Sequence, residues 1–166
     1  MWSSERRRLI AALALLPVLG ACGFRPAHAP DGPGARLRGQ VQADDPVSAR
    51  DFAFVAAFED RLGRPQGARF KLSYDISVRE RGGARVRQVG DTRFQVFGRA
   101  RFTLTDAATG DALYRGTVEN FTAYSATSTQ MATRIAQQDA ERRLMAILAD
   151  QVVTRLLAVL PEQAGA

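Results

Sequence analysis

The chain has 166 residues, 23 basic against 17 acidic, for a formal net charge of +6, with one cysteine and one histidine. That length carries one domain with a core of its own, and a single cysteine excludes an internal disulfide, so stability must come from packing. One cysteine and one histidine also exclude a histidine–cysteine metal cluster.

In chain order, Arg6, Arg7 and Arg8 head an apolar run from Leu9 to Leu19, followed by the small residues Gly20 and Ala21. A run that short cannot cross a hydrocarbon core about 30 Å thick, which takes roughly 20 helical residues. Residues 1–21 therefore read as a removable signal peptide. Leu19-Gly20-Ala21-Cys22 resembles the bacterial lipobox. That resemblance implies a diacylglycerol on the Cys22 thiol, cleavage before it and acylation of the new amine, a stable tether. Gly23 stands where lipoproteins retained at the inner membrane carry aspartate. Two alternatives stay open: a stray thiol in an ordinary signal peptide, and a twin-arginine export signal in Arg6-Arg7.

Removing residues 1–21 leaves 145 residues with 20 basic and 16 acidic side chains, a charge of +4, and Lys71 is the only lysine. Arginine's planar fork suits phosphate and carboxylate, although a GC-rich codon bias would produce the same composition. Residues 22–35 hold Gly23, Pro26, Pro30, Gly32, Pro33 and Gly34 and read as a linker behind the lipidated cysteine. Residues 36–161 read as the folded domain and 162–166 as a disordered tail.

Arg36 to Val41 alternates, with Leu37, Gly39 and Val41 on one side, and predicts a short strand. Asp45-Pro46 predicts the start of a helix, with Asp45 as N-cap. Val47, Phe54, Val55, Phe58 and Leu62 form its apolar stripe, and Gly63 with Pro65 ends it. From Phe70 the period becomes two, with Leu72, Tyr74, Ile76 and Val78 alternating against Lys71, Ser73, Asp75, Ser77 and Arg79. Gly82-Gly83 predicts a hairpin turn. A two-residue turn there would set odd positions against even ones and mismatch the apolar faces, so a longer loop or a bulge near Gly90 is required. The return strand places Phe94, Val96, Ala100, Phe102 and Leu104 on one face and Arg93, Gln95, Arg99 and Arg101 on the other. Asp106 to Asp111 is a polar turn and Leu113 to Tyr124 a further strand. A capping box of Thr127 and Gln130 then opens a helix of roughly 33 residues, about 50 Å long, that ends at Pro161. Its stripe runs Ala132, Ala136, Ala140, Leu144, Ile147, Leu148, Val152, Leu156 and Leu160, and the alanines predict a close approach to the sheet. The fold class is α+β: a two-layer sandwich with two helices on one face of a four-stranded mixed sheet, in the order β-α-β-β-β-α.

His28 lies in the linker, so a histidine triad or histidine general base within the domain is excluded. Glu59-Asp60 and Asp139-Glu141 are the carboxylate pairs that hydrolytic chemistry would need. Adjacent helical residues point apart, however, and Arg61 and Arg142 lie beside them, as on solvated faces. Gly82-Gly83 lacks the lysine and spacing of a phosphate-binding loop. No enzyme activity, cofactor or metal is expected. Lys71, Arg79, Arg93, Arg99 and Arg101 share the sheet face turned from the helices, and Arg81, Arg85 and Arg87 crowd the hairpin tip. Such like charges repel unless an anion meets them. Phosphorylated glycolipid, anionic headgroups or an acidic protein wall are suitable partners, and nucleic acid is not, outside the cytoplasm. The alternative is a solvated face that protects a sheet edge.

The start Cys22-Gly23-Phe24-Arg25-Pro26, the order of elements, the segment from Tyr124-Ser125 to Gln130-Met131-Ala132 and the late Arg155-Leu156-Leu157 together resemble the LPS-assembly lipoprotein family LptE, its alphaproteobacterial members in particular. The resemblance implies an outer-membrane lipoprotein, on the periplasmic side, that plugs, stabilises and helps assemble the LptD barrel and binds lipopolysaccharide during export. It implies lipopolysaccharide-binding roles for Arg85 and Arg87 at the hairpin and Arg134 after the Gln-Met-Ala segment; Arg93, Arg99 and Arg101 are further candidates from their place on the arginine face. The competing reading is a generic outer-membrane structural lipoprotein that binds another envelope protein or peptidoglycan.

Overall fold

The computed structural model describes residues 33–86, 90–126 and 129–163. Cys22, the leader, Arg87 and Thr127 lie outside the described residues. Seven elements follow in order: α1 (Pro33–Leu37), β1 (Val41–Ala43), α2 (Ala49–Leu62), β2 (Phe70–Val86), β3 (Gly90–Asp106), β4 (Ala112–Ser125) and α3 (Gln130–Gln163). The sheet order is β1-β2-β3-β4, with β1 parallel to β2 and the other pairs antiparallel. This is the expected mixed sheet under two long helices, with one short helix added in front.

That short helix corrects the reading of Arg36–Val41 as a strand. Pro33 opens α1, where its missing N–H costs nothing. Gly39 adopts φ +67°, which neither a helix nor a strand continues, and its N–H donates to the Leu62 carbonyl at 2.7 Å. Leu37 and Val41 are both buried, but from different elements on either side of that glycine.

The α2 start is also displaced. Ser48, not Asp45, is the N-cap: its Oγ accepts from the Asp51 N–H at 3.2 Å, and Asp51 Oδ2 accepts from the Ser48 N–H at 2.9 Å. Asp45 lacks a reciprocating partner of this kind, and the capping box satisfies two otherwise orphaned donors. Val47 therefore precedes the helix and is 90% exposed, while Phe54, Phe58 and Leu62 are buried and Gly63 caps the end as expected.

Gly82-Gly83 is not a turn. β2 runs through both to Val86, and from Phe70↔Asp106 to Gly82↔Phe94 the pairing keeps one register before shifting at Gly83. That register sets even positions opposite even ones, joining Leu72 to Leu104, Tyr74 to Phe102 and Ile76 to Ala100 on one apolar face. The glycines serve a bulge, with β2 ending at Val86 and β3 beginning at Gly90. The Asp106–Asp111 turn is as expected, with Asp106 Oδ1 accepting from the Ala108 and Thr109 N–H groups and Gly110 at φ +80°.

In α3 the first turn is capped by Thr129, whose Oγ1 accepts from the Ala132 N–H at 3.3 Å. The helix continues through Pro161 to Gln163. A proline so near the end removes a single hydrogen bond, and hardly any helix follows it. The buried residues are Ala140, Leu144, Met145, Leu148, Ala149, Val152, Val153 and Leu156. This band is wider than the predicted stripe because α3 packs on α2 as well as on the sheet. Ala132 is exposed, so the predicted alanine contact is absent there.

The close approach is made further along, at the fully buried Ala140, whose carbonyl accepts from Thr122 Oγ1 at 2.9 Å, and at a glycine of the sheet. A Cβ at Gly98 of β3 would lie 2.9 Å from Leu144 Cδ2 and 2.9 Å from Leu148 Cδ1. Gly98→Ala is expected to destabilise the domain by about 1–3 kcal/mol through overpacking, read as a lowered midpoint in denaturant unfolding.

Candidate functional site

The open face carries the odd-numbered residues of β2, β3 and β4, since the even-numbered ones meet the helices. Cross-strand rows follow from the register: Asp75–Arg101–Thr117, Ser77–Arg99–Glu119, Arg79–Phe97–Phe121 and Arg81–Gln95–Ala123, with Arg93 opposite Ser125 beyond them. The arginine face is therefore real but divided. Arg99 pairs with Glu119 at 2.8 Å and Arg101 with Asp75 at 3.6 Å, so the middle of the sheet is largely self-neutralised. A shallow depression of about 590 Å³ lies beside Arg101, walled by Ser73, Tyr74, Phe102, Thr103, Arg115 and Thr117.

Toward the hairpin end the composition changes. Arg79, Arg81 and Arg93 make no ion pair with another described residue. Between them the Phe97 and Phe121 rings lie 5.6 Å apart, and the Arg81 guanidinium sits 5.6 Å over the Phe97 ring. Phe121 is 53% exposed. Aromatic faces attract the guanidinium through their quadrupole, so the patch holds cationic and apolar surface together. Sequence reasoning missed both phenylalanines. The available signal was Phe97 on the arginine parity of its strand, out of step with Phe94, Val96, Ala100 and Phe102.

Of the other predicted residues, Arg85 stands opposite Asp91 in the β2–β3 register, at the same end of the sheet, and Arg87 lies outside the described residues. Arg134 is exposed in the early turns of α3, with Met131 (69% exposed) and Ile135 (58%) beside it. It belongs to the helix layer, so Arg134 and the pair Arg99 and Arg101 lie on opposite sides of the sheet. The six candidates do not form one constellation: Arg93, Arg99 and Arg101 share the open face, with Arg93 toward the hairpin end, whereas Arg134 lies in the helix layer and Arg85 stands on β2 opposite Asp91.

Polar contacts fix the start of α3 to that end. Tyr124 Oη donates to Glu80 Oε2 at 2.9 Å, Gln137 Nε2 donates to the same oxygen at 3.0 Å, and Thr122 Oγ1 donates to the Ala140 carbonyl at 2.9 Å. Burial, then the hydrogen bond to Glu80 and its charge, push the Tyr124 hydroxyl up to about 12. Tyr74 is raised to about 12 by burial and then by Asp51, Asp44 and Asp45. An unfolded tyrosine releases its proton near 10, whereas these hold theirs to higher pH. Their stabilising contribution is thus complete below about pH 10 and lost as pH rises toward 12. The melting temperature should fall across that window, and a Tyr74→Phe/Tyr124→Phe variant should lose part of the slope.

Three of the four carboxylates in the Glu59-Asp60 and Asp139-Glu141 pairs are held in ion pairs. Glu141 takes a two-point contact from Arg50 (2.8 and 3.0 Å) that locks α2 to α3, and the bond to Glu141 raises the Arg50 guanidinium further. Asp139 meets Arg142 and Arg143, and Glu59 meets Arg64. Among the described residues no cluster of histidine, cysteine, aspartate or glutamate could hold a metal ion, and no helix is long and apolar enough to cross a membrane.

Fold and face together define a two-layer α+β domain that presents an arginine-bearing sheet surface. A family model for lipopolysaccharide assembly, LptE, matches residues 35–156, and the chain belongs to that family. Among solved structures, a candidate lipoprotein from Caulobacter crescentus superposes with a TM-score of 0.65 at 20% identity, covering 78% of this chain and 96% of the other. The rare lipoprotein B of Shewanella oneidensis gives 0.58 at 9% identity, covering 75% and 97%. A minor lipoprotein of Acinetobacter baumannii gives 0.53 at 10%, covering 71% and 88%. These likenesses establish the shared fold. No curated protein matches the sequence.

Proposed function

We propose that this lipopolysaccharide-assembly protein is anchored to the outer membrane through acylated Cys22, plugs and helps assemble an LptD-type barrel, and binds lipopolysaccharide with its hairpin end. The observation that carries the reading is the group Arg79, Arg81 and Arg93 around Phe97 and Phe121, at the end that also holds Arg85 and Arg134. Lipopolysaccharide is an amphiphile with phosphates beside acyl chains. Guanidinium forks match the phosphates, and adjacent aromatic surface matches the chain roots. No bond is made or broken: the forks would loosen lipopolysaccharide from its aggregates and pass it onward. A barrel lumen is polar, so a domain whose open sheet face is polar is suited to fill one.

The test is affinity purification of the acylated chain from membranes, with mass spectrometry of what accompanies it. A stoichiometric large barrel protein together with lipopolysaccharide is expected. Recovery of peptidoglycan fragments or a different envelope protein, without a barrel, would support the generic structural lipoprotein instead.

A further inference from the structure

β2 is 17 residues long, yet β1 pairs with only its first three, Phe70, Lys71 and Leu72. The Phe70 N–H donates to the Gln40 carbonyl, and the Leu72 carbonyl accepts from the Asp44 N–H at 2.9 Å, so the even positions of β2 turn their backbone groups toward β1. Backbone direction alternates along a strand, so Tyr74, Ile76, Val78 and Glu80 turn theirs to the same side. There β1 has already ended, and among the described residues no backbone group pairs with them. An unprotected edge of this kind is a template for another strand.

The space that β1 vacates is not neutral. A groove of about 370 Å³ opens at Asp44, between the β2 edge at Tyr74 and Ile76 and the start of α2. Asp44, Asp45, Asp51 and Asp75 line it, and its one cation, Arg50, is committed to Glu141. After burial, the largest cause, the three aspartates Asp51, Asp44 and Asp45 also raise the Tyr74 hydroxyl.

We propose that the β2 edge from Tyr74 to Glu80 docks an extended segment of a partner protein, which joins the sheet in line with β1 and sets lysine or arginine side chains against Asp44 and Asp45. Backbone pairing supplies attachment and the carboxylates supply selectivity for a basic strand, the division of labour seen wherever an edge is augmented. An edge of seven residues buries less than the roughly 1,200 Å² of a stable dimer, which favours a segment over a second copy. The inference is independent of the lipopolysaccharide reading, since it uses outward backbone groups of even positions on the opposite edge of β2 from β3; of the arginines in that reading only Arg79 lies within this stretch, and its backbone faces β3.

The probe is a fluorescein-labelled nine-residue peptide alternating valine with lysine and arginine, titrated into the full acylated chain in detergent, beside a version with glutamate at the charged positions. The protein is itself cationic, so unspecific attraction works against the basic peptide. Ile76→Pro removes an outward N–H without touching the β2–β3 ladder, and should weaken binding about tenfold. Asp44→Asn/Asp45→Asn should weaken it similarly, and the Ile76 and Val78 amides should gain hydrogen-exchange protection when the peptide binds. Equal binding of the acidic peptide, insensitivity to these substitutions, amides already protected in the free chain, or a dimer formed through this edge would each overturn the proposal. Should Ile76→Pro fail to fold, the asparagine pair and the amide exchange decide alone.

Discussion

Replacing Arg85, Arg87 and Arg134 together by glutamate should lower affinity for lipopolysaccharide about a hundredfold, with far-UV circular dichroism unchanged. A charge-assisted hydrogen bond contributes about 1.5–3 kcal/mol when well made. Partial exposure reduces that to roughly 1 kcal/mol each, and each 1.4 kcal/mol is a factor of ten. Adding Arg81→Glu and Arg93→Glu should deepen the loss. Arg99→Glu and Arg101→Glu serve as the contrast: their guanidinium groups already face Glu119 and Asp75. Reversing them should change lipopolysaccharide affinity less than about threefold, even though the open face then carries the same net charge as a tip variant with two reversals. Competition binding at fixed ionic strength separates these outcomes. Equal losses from both sets would mean that a diffuse positive field, not the hairpin end, holds the ligand.

Cys22→Ser should abolish acyl labelling and shift the protein from the outer-membrane fraction to the inner-membrane fraction. Serine cannot form the thioether, and each methylene of a buried acyl chain contributes about 0.8 kcal/mol to membrane affinity. One chain holds a protein reversibly and two or more hold it stably, so the loss of the whole set is not compensated by surface charge. The unprocessed leader should remain attached and keep the chain at the inner membrane. Metabolic labelling with a fatty-acid analogue, followed by fractionation, reads both effects, and a labelled Cys22→Ser chain would contradict the lipobox reading.

What could be read from the sequence was local and periodic. Phe70 to Val78 and Phe94 to Leu104 declare their faces by alternation because one side meets helices and the other water. Gly63 declares the end of α2 because only a positive φ fits there. The failures share a physical cause: each depended on a partner distant in sequence. A Gly-Gly pair is equally at home in a turn and in a bulge, and only pairing with Phe94 and Arg93 across the sheet decides between them. Asp45 and Ser48 are both acceptable helix caps, and the reciprocal bond from Asp51 selects the second. Met145, Ala149 and Val153 fall outside a single-face stripe because α3 meets two neighbours at once.

The candidate site was half legible. Arginines on one strand parity announced a cationic face, but which of them are spent on Glu119 and Asp75 depends on register, and so does the meeting of Phe97 with Phe121. Residues 24 places apart become neighbours only after β3 and β4 align.

The chain enters the fold through α1 and β1, and β1 grips the sheet by only three parallel positions. Were Cys22 fixed in a bilayer, as proposed, any tension between membrane and domain would pass from α1, held by its buried Leu37, to that short grip and to the Gly39–Leu62 bond beside it. The meander and α3 lie behind it in the load path. Under pulling, the tether should lengthen by peeling away its own first strand well before the hairpin end feels the force, so that β1 serves the molecule as a mechanical fuse.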